Sequence, residues 1–343
     1  MKRQESLIYV LVLTAFLFWA AQPAFGLILH SGGEPNIVSW TDRPPAEVIG
    51  RWGYSGSCVV ISPDCVITTR HQGGGLYTSV EIGGVKYTVS NIWDHNTADL
   101  RIAKLRGANL TRFVGIYENT DEVGKDVVIG GYGLGRGEIL QKLGITYGYG
   151  WNNGGNTTLR LGTNRIEETE SDSTIEDYTS DVVIADFDGL NEGQAVIYES
   201  IPASYDSGGG WFIKAGNKWK AAGLSRAVTM HFEEGHENDP NYAIYAAWFR
   251  DRADPNIPLS DYMDAVRISS YAQWIKGVFR KESPADLNGD GCIGLGDFAI
   301  FAQHWAETNC QGPDWCSGAD LKGDGDVDYE DLAEFAKQWL QEE

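Results

Sequence analysis

The chain has 343 residues with 48 acidic and 27 basic side chains, a formal net charge of −21. With a pI near 4.6, it is excluded as a reader of nucleic-acid phosphates through a basic face, and cationic, neutral or metallic partners are favoured. At 42% hydrophobic and 12% aromatic residues it can fill a core, which excludes disorder as the main state, and its length predicts two domains.

In chain order, Lys2 and Arg3 precede an apolar run from Leu7 to Ala21, and Ala24 and Gly26 offer an A-x-G cleavage site. This is the pattern of a secretory signal over residues 1–26. The run is shorter than the ~20 apolar residues a spanning helix needs. The expected mature chain is therefore secreted, soluble and without a stable membrane span.

Strand-like segments separated by Gly-rich turns follow: Cys58 to Ile61, Val66 to Thr69, Leu76 to Ile82, Val85 to Val89, Leu100 to Leu105, Val127 to Tyr132, Gly144 to Tyr149, Val182 to Phe187, Ala195 to Tyr198, Gly210 to Ile213 and Trp219 to Leu224. Many short strands predict a mainly β barrel or sandwich, closed by one helix from Tyr271 to Phe279. Residues 167–188 carry nine acids and no Lys or Arg, and read as a solvated loop leading into a strand. Residues 281–284 form a charged, Pro-terminated linker. Beyond it, ADLNGDGCIGLGDFAIFAQHWAE from Ala285 recurs, 34 residues on, as ADLKGDGDVDYEDLAEFAKQWLQ, an acidic loop and a helix in each copy. The domains expected are residues 27–280 and 285–343.

An odd number of cysteines, five, leaves at least one without a partner in the chain. Cys310 and Cys316 lie six apart in a Gly/Pro-containing loop and are expected to pair. Cys58 and Cys65 flank a Ser62-Pro63-Asp64 turn, where a bridge is left open. Cys292 has no obvious partner, and no cysteine spacing suits zinc.

The chemically dense segments are VVISPDCVITTRHQ, TADLRIAKL and YDSGGGWF. The first ends a strand at His71, the second opens one at Asp99, and the third sets Ser207 before three glycines. A serine hydroxyl is a poor nucleophile near neutral pH. It needs an imidazole to take its proton and a carboxylate to hold that imidazole's tautomer. Order and context of these three stretches resemble the chymotrypsin/trypsin-like serine proteases. Ala221 to Ser225 is similar to that family's strand beside the substrate, and Ala265 to Ile275 to its last strand and closing helix, so the resemblance spans residues 48–279.

The resemblance implies a double β-barrel with a C-terminal helix. In it His71 is the general base, Asp99 orients it and Ser207 attacks a peptide carbonyl, while the N–H groups at 205 and 207 hold the oxyanion and Ser225 and Ile201 contact substrate. Tyr205 departs from the family's glycine, which favours a second reading, a weak or inactive binding protein on the same fold. Ile201 replaces the acid of a trypsin-like pocket, so a preference for Arg or Lys is not expected. Asp206 suits a buried ion pair with a new N-terminus, but no I-V-G-G-like start precedes His71, and constitutive or different activation is expected. An insertion over residues 227–260 is expected to shape the cleft. Its His231 and His236 do not have the spacing of the two-His helical zinc motif.

In the repeat, Asp286, Asn288, Asp290 and Asp297 hold positions 1, 3, 5 and 12 of a calcium loop, with Gly291 at the bend and the Cys292 carbonyl at position 7. The second loop offers Asp320, Asp324 and Asp331 with the Asp326 carbonyl, and has Lys322 in place of an oxygen ligand at position 3. Asp at position 12 and the duplicated loop-helix unit resemble type I dockerins. That implies a small α-helical module folded by Ca2+, docking on a cohesin domain through exposed residues such as Leu295, Gly296, Tyr329 and Glu330. Residues 285–343 hold 14 acids against two bases, so over half of the chain's net charge sits in the proposed metal loops.

Overall fold

In the computed structural model, residues 27–30, 40–152, 156–190, 192–236, 239–282, 284–288, 293–311 and 315–339 are described. The expected signal over residues 1–26 lies outside them, as do Asp290, Gly291 and Cys292.

Six strands form the first unit: β1 (Ile49–Trp52), β2 (Gly56–Val60), β3 (Cys65–Thr68), β4 (Ser79–Ile82), β5 (Val85–Asp94) and β6 (Arg101–Leu105). They run antiparallel in the order β1-β2-β3-β6-β5-β4, and β4 returns to β1 through Arg51↔Glu81, closing a barrel. Alternation of side chains across each strand splits its residues between two cores. Cys58, Val60, Val66 and Ala103 fill the barrel interior, while Val59, Ile67 and Ile102 point outward into a second cluster shared with the rest of the molecule.

The second unit is an 8-stranded sheet. Its principal strands are β7 (Asp126–Gly131), β8 (Arg160–Arg165), β9 (Glu168–Ile175), β10 (Tyr178–Asp186), β11 (Gly210–Ala215), β12 (Lys218–Val228) and β13 (Tyr262–Arg267). The path runs β8-β7-β11-β12-β13-β10-β9. Its two end strands, β8 and β9, are consecutive in the chain, joined through Ile166 and Glu167, and Asn164 Nδ2 of β8 donates to Asp186 O of β10 at 2.7 Å. Val127, Ile129, Trp211 and Ile213 fill its interior. Val128, Phe212 and Leu224 turn toward the first barrel and meet Val59 and Ile67, and helix α1 (Ala272–Glu282) covers the seam with Ile275 and Phe279.

Cys58 and Cys65 are both buried and unbridged. They belong to different clusters, Cys58 inside the barrel and Cys65 in the shared core, so their side chains leave adjacent strands toward opposite faces. The acidic stretch expected as a solvated loop is instead the β9–β10 hairpin, pairing Glu168↔Ile184 through Ile175↔Tyr178. Glu168, Glu170 and Asp172 lie on the exposed strand β9, Glu176 and Asp177 at the turn, and Asp181 and Asp186 on β10, whose Val182, Val183 and Ala185 face the core.

The C-terminal repeat folds as a duplicated unit. Helices α2 (Leu295–Gln303) and α3 (Tyr329–Trp339) carry Phe301 and Phe335 at equivalent positions, each 1% exposed, with ring centroids 5.5 Å apart. Such an aromatic pair adds about 0.5–1.5 kcal/mol beyond its burial. Cys310 and Cys316 form a disulfide.

Candidate active site

The site lies where the six-stranded barrel meets the 8-stranded sheet. Strand β3 ends at Thr68, and the chain leaves it through Arg70 and His71. Asp99, just ahead of β6, is wholly buried. Its Oδ1 accepts the backbone N–H groups of Arg70 (2.6 Å) and His71 (2.8 Å), and its Oδ2 lies 2.5 Å from His71 Nδ1. Ser180 Oγ, from β10, accepts the Asp99 N–H at 3.0 Å, tying the acid to the 8-stranded sheet. On the other side of the ring, His71 Nε2 lies 2.8 Å from Ser207 Oγ. Side chains 136 and 28 residues apart are thus brought into one hydrogen-bonded series of carboxylate, imidazole and hydroxyl.

The loop carrying Ser207 is set from beneath by Asp206, which is 0% exposed. Asp206 accepts the N–H groups of Gly133 (2.7 Å) and Ala203 (2.9 Å). A Cβ at Gly133 would stand 2.3 Å from the Asp206 carboxylate, so only glycine permits this approach. Burial pushes the Asp206 carboxyl up to about 6 against the pull of its backbone donors. A third donor is the N–H of Leu27, 3.3 Å from Asp206 Oδ2. Leu27 opens a buried segment that pairs Ile28↔Ile201 and Leu29↔Ser200. His30 ends it, packed against Phe187, Tyr149 and Phe249. The segment ahead of His71 that the structure sets against Asp206 is Leu27-Ile28-Leu29, which has no I-V-G-G pattern.

Tyr205 stands at φ 76, in the left-handed region that favours glycine. The residue is 38% exposed, so its side chain is carried outside the core. Ser204 O accepts Leu134 N–H at 2.8 Å, and in a planar trans peptide this turns the Tyr205 N–H the opposite way. Neither that N–H nor the N–H of Ser207 has an acceptor among the described residues. Gly208, at φ 78, leaves the turn so closely packed that a Cβ would lie 2.3 Å from Ser57 O.

Ser57, which sequence reading missed, fastens the loop. Its N–H donates to Ser207 O at 2.8 Å, its Oγ donates to Tyr205 O at 3.1 Å, and Oγ accepts Tyr132 N–H at 2.9 Å. No local motif marks it.

A cavity of about 250 Å³ opens beside Ser207, between residues 202–204 and 225–228. Two expected substrate contacts are placed differently from the reading of the sequence. Ile201 is 2% exposed in the core beside the 8-stranded sheet, paired with Ile28, and does not line the cavity. Ser225 lines it, but its N–H donates to Gly209 O and its C=O accepts from Gly208 N–H, so its backbone is already engaged. β12 pairs with β11 only as far as Leu224, so its edge next to the cavity is open beyond Ser225. Of the 227–260 insertion, Ala227, Val228 and Met230 reach the cavity. His231 bonds Asp261 at 2.9 Å and stacks on Trp248, while His236 stacks on Tyr242.

In the repeat, carboxylate oxygens of Asp320, Asp324 and Asp331 lie within 4.8 Å of one another. Asp331 accepts the N–H groups of Lys322 and Asp328 (both 2.9 Å), and Asp297 accepts those of Asn288 (2.9 Å) and Gly294 (2.8 Å). The two loops thus keep one register. Asp286 and Asp297 are 1% exposed, buried acids of the kind a cation would neutralise. The Asp326 carbonyl belongs to the second loop, and Asp290 and Cys292 of the first lie outside the described residues. The donor set of hard oxygens fits calcium.

No protein-family model and no curated protein matches the chain. Among solved structures it is similar to the Rv3671c protease of M. tuberculosis in its inactive form, at 16% identity and TM-score 0.39, over 66% of this chain and 87% of that one. It is also similar to neuropsin, a serine protease expressed in the limbic system of mouse brain, at 16% identity and TM-score 0.43, over 68% and 94%. Likenesses this slight bear on neither mechanism nor specificity. Among the described residues no helix is long and apolar enough to cross a membrane.

Proposed function

We propose that the chain is a secreted serine endopeptidase carried on a calcium-folded dockerin-like module. The observation that carries this reading is the unbroken series Asp99 Oδ2, His71 Nδ1, His71 Nε2 and Ser207 Oγ, with contacts of 2.5 and 2.8 Å. In the proposed reaction His71 Nε2 takes the Ser207 hydroxyl proton as Oγ bonds to the scissile carbonyl carbon. The carbonyl electron pair moves onto oxygen, where the N–H groups of Tyr205 and Ser207 stabilise it. The tetrahedral species collapses, the C–N bond breaks, and His71 returns the proton to the leaving amine. Water then enters by the same steps and releases the acid and free Ser207. Asp99 holds the imidazole tautomer and stabilises the imidazolium.

The binding-protein alternative rested on Tyr205, and Tyr205 already occupies the left-handed conformation with its N–H free of acceptors. We also propose that removal of residues 1–26 leaves the α-amino group of Leu27 beside Asp206, so that export and activation share one cleavage. In the C-terminal module Asp286, Asn288 and Asp297, and Asp320, Asp324 and Asp331, would hold calcium, which would supply the charge that lets Asp286, Asp297, Asp320 and Asp331 be buried. Leu295 and Tyr329, at equivalent loop positions and 75% and 78% exposed, would meet a cohesin partner. Hydrolysis of unfolded casein by the mature chain, abolished in His71→Ala and Ser207→Ala, tests the enzymatic reading. Equal hydrolysis by the variants would refute it.

A further inference from the structure

We infer that the cavity beside Ser207 selects a large, uncharged apolar side chain, aromatic or leucine-like, on the acyl side of the bond cleaved; this rests on Ser207 being the nucleophile. Placement comes first. With the carbonyl carbon at Ser207 Oγ, the side chain borne on the adjoining Cα is placed in the space that Ser207 itself lines, between Ala203 and the β12 edge at Ala227 and Val228. Size comes second. The cavity measures about 250 Å³, and roughly 150 Å³ is enough to hold benzene.

Polarity decides between the remaining side chains. Trp151, Ile175, Ala203, Val228 and Met230 supply apolar walls, and among the described residues no acid lines the space. A lysine or arginine would lose its hydration there without gaining a counter-charge. Among the described residues the one charged lining residue is Arg226, which at first sight would favour an acidic side chain. Its guanidinium is already committed. Nε and Nη2 donate to the two carboxylate oxygens of Asp264, both at 2.8 Å, and Nη1 and Nη2 donate to Ser173 O and Oγ at 3.0 and 2.9 Å. Arg226 is only 6% exposed, so it serves as a wall whose charge is spent inside the protein. Ile201, at the position where an acid would select basic residues, sits in the core and takes no part.

The test uses the mature chain and peptide p-nitroanilides of sequence Ala-Ala-Pro-X, with X as Phe, Leu, Ala, Glu or Lys, while a fluorophosphonate probe reports on Ser207 in the same sample. kcat/KM for Phe and Leu should exceed that for Glu and Lys by at least about 100-fold. In Ala227→Leu, which fills the cavity, the Phe to Ala ratio should fall by about tenfold; Val228→Trp serves if that variant does not fold. A labelled enzyme that prefers Lys or Glu, or a ratio unmoved in both filling variants, overturns the preference while leaving the hydrolase reading intact. Absence of labelling overturns the hydrolase reading and the preference with it.

Discussion

The backbone nitrogen of Leu27 lies 3.3 Å from Asp206 Oδ2, with both residues wholly buried. Asp206 adjoins Ser207 in sequence and holds the loop on which Tyr205 and Ser207 present their N–H groups. In the full chain the contact is a neutral amide facing a carboxyl that burial has pushed up to about 6. Cleavage ahead of Leu27 would replace the amide by an ammonium.

That replacement has a defined pH signature. A raised folded-state pKa means the folded chain holds the Asp206 proton more tightly than the unfolded chain. Stability from this group is therefore full below the ordinary aspartate range and is lost as pH rises toward about 6. An ammonium at Leu27 supplies the counter-charge and removes that loss. Melting curves of the chain starting at Leu27 and of one carrying an additional Ala ahead of it should agree near pH 4 and diverge by pH 7, with the extended chain less stable and at least tenfold less active. Superimposed pH profiles would show that the two groups do not pair.

Asp99→Asn should keep the fold, since a carbonyl oxygen still accepts the Arg70 and His71 N–H groups. Its amide would face His71 Nδ1 and impose the wrong tautomer. A fall in kcat of ~10⁴-fold with little change in KM is expected.

Tyr205→Gly should raise stability by about 1 kcal/mol, because a left-handed non-glycine residue costs roughly 1–2 kcal/mol, against the greater entropy glycine loses on folding. Activity should remain within a few-fold of the parent, since the N–H stays in place. Chemical denaturation and kcat/KM measure the two effects. A large loss of activity would mean that the Tyr205 ring, not its backbone, serves the site.

Calcium should raise the melting temperature of the full chain's C-terminal transition, and a chelator should lower it. Lys322 stands where an oxygen ligand is expected, so Lys322→Asn should tighten the second site, read as a lower calcium midpoint in titration calorimetry. Asp331→Ala should abolish it.

The β architecture was legible where short apolar runs stood between turn residues, as in β2, β3, β6 and β11. It was not legible in β8, whose sequence RLGTNR has no such run and becomes a strand because β7 offers a continuous ladder of partners. The β9 acids hid a strand for a related reason: the hairpin's core-facing half is β10, and β9 only pairs with it. His71, Asp99 and Ser207 could be singled out because a proton relay restricts residue types. Ser57 and Leu27 could not, because they act through backbone contacts 148 and 179 residues away that leave no local signature. Ile201 shows the converse failure, a sequence offset from Ser207 whose side chain the strand pairing with Ile28 turns into the core.

The reaction of the mature chain with a fluorophosphonate probe, read by intact-mass spectrometry and peptide mapping, tests the central claim most directly. Stoichiometric, single-site modification is predicted on Ser207, lost in Ser207→Ala and slowed by orders of magnitude in His71→Ala. An unmodified Ser207 in the folded, processed chain would contradict the account.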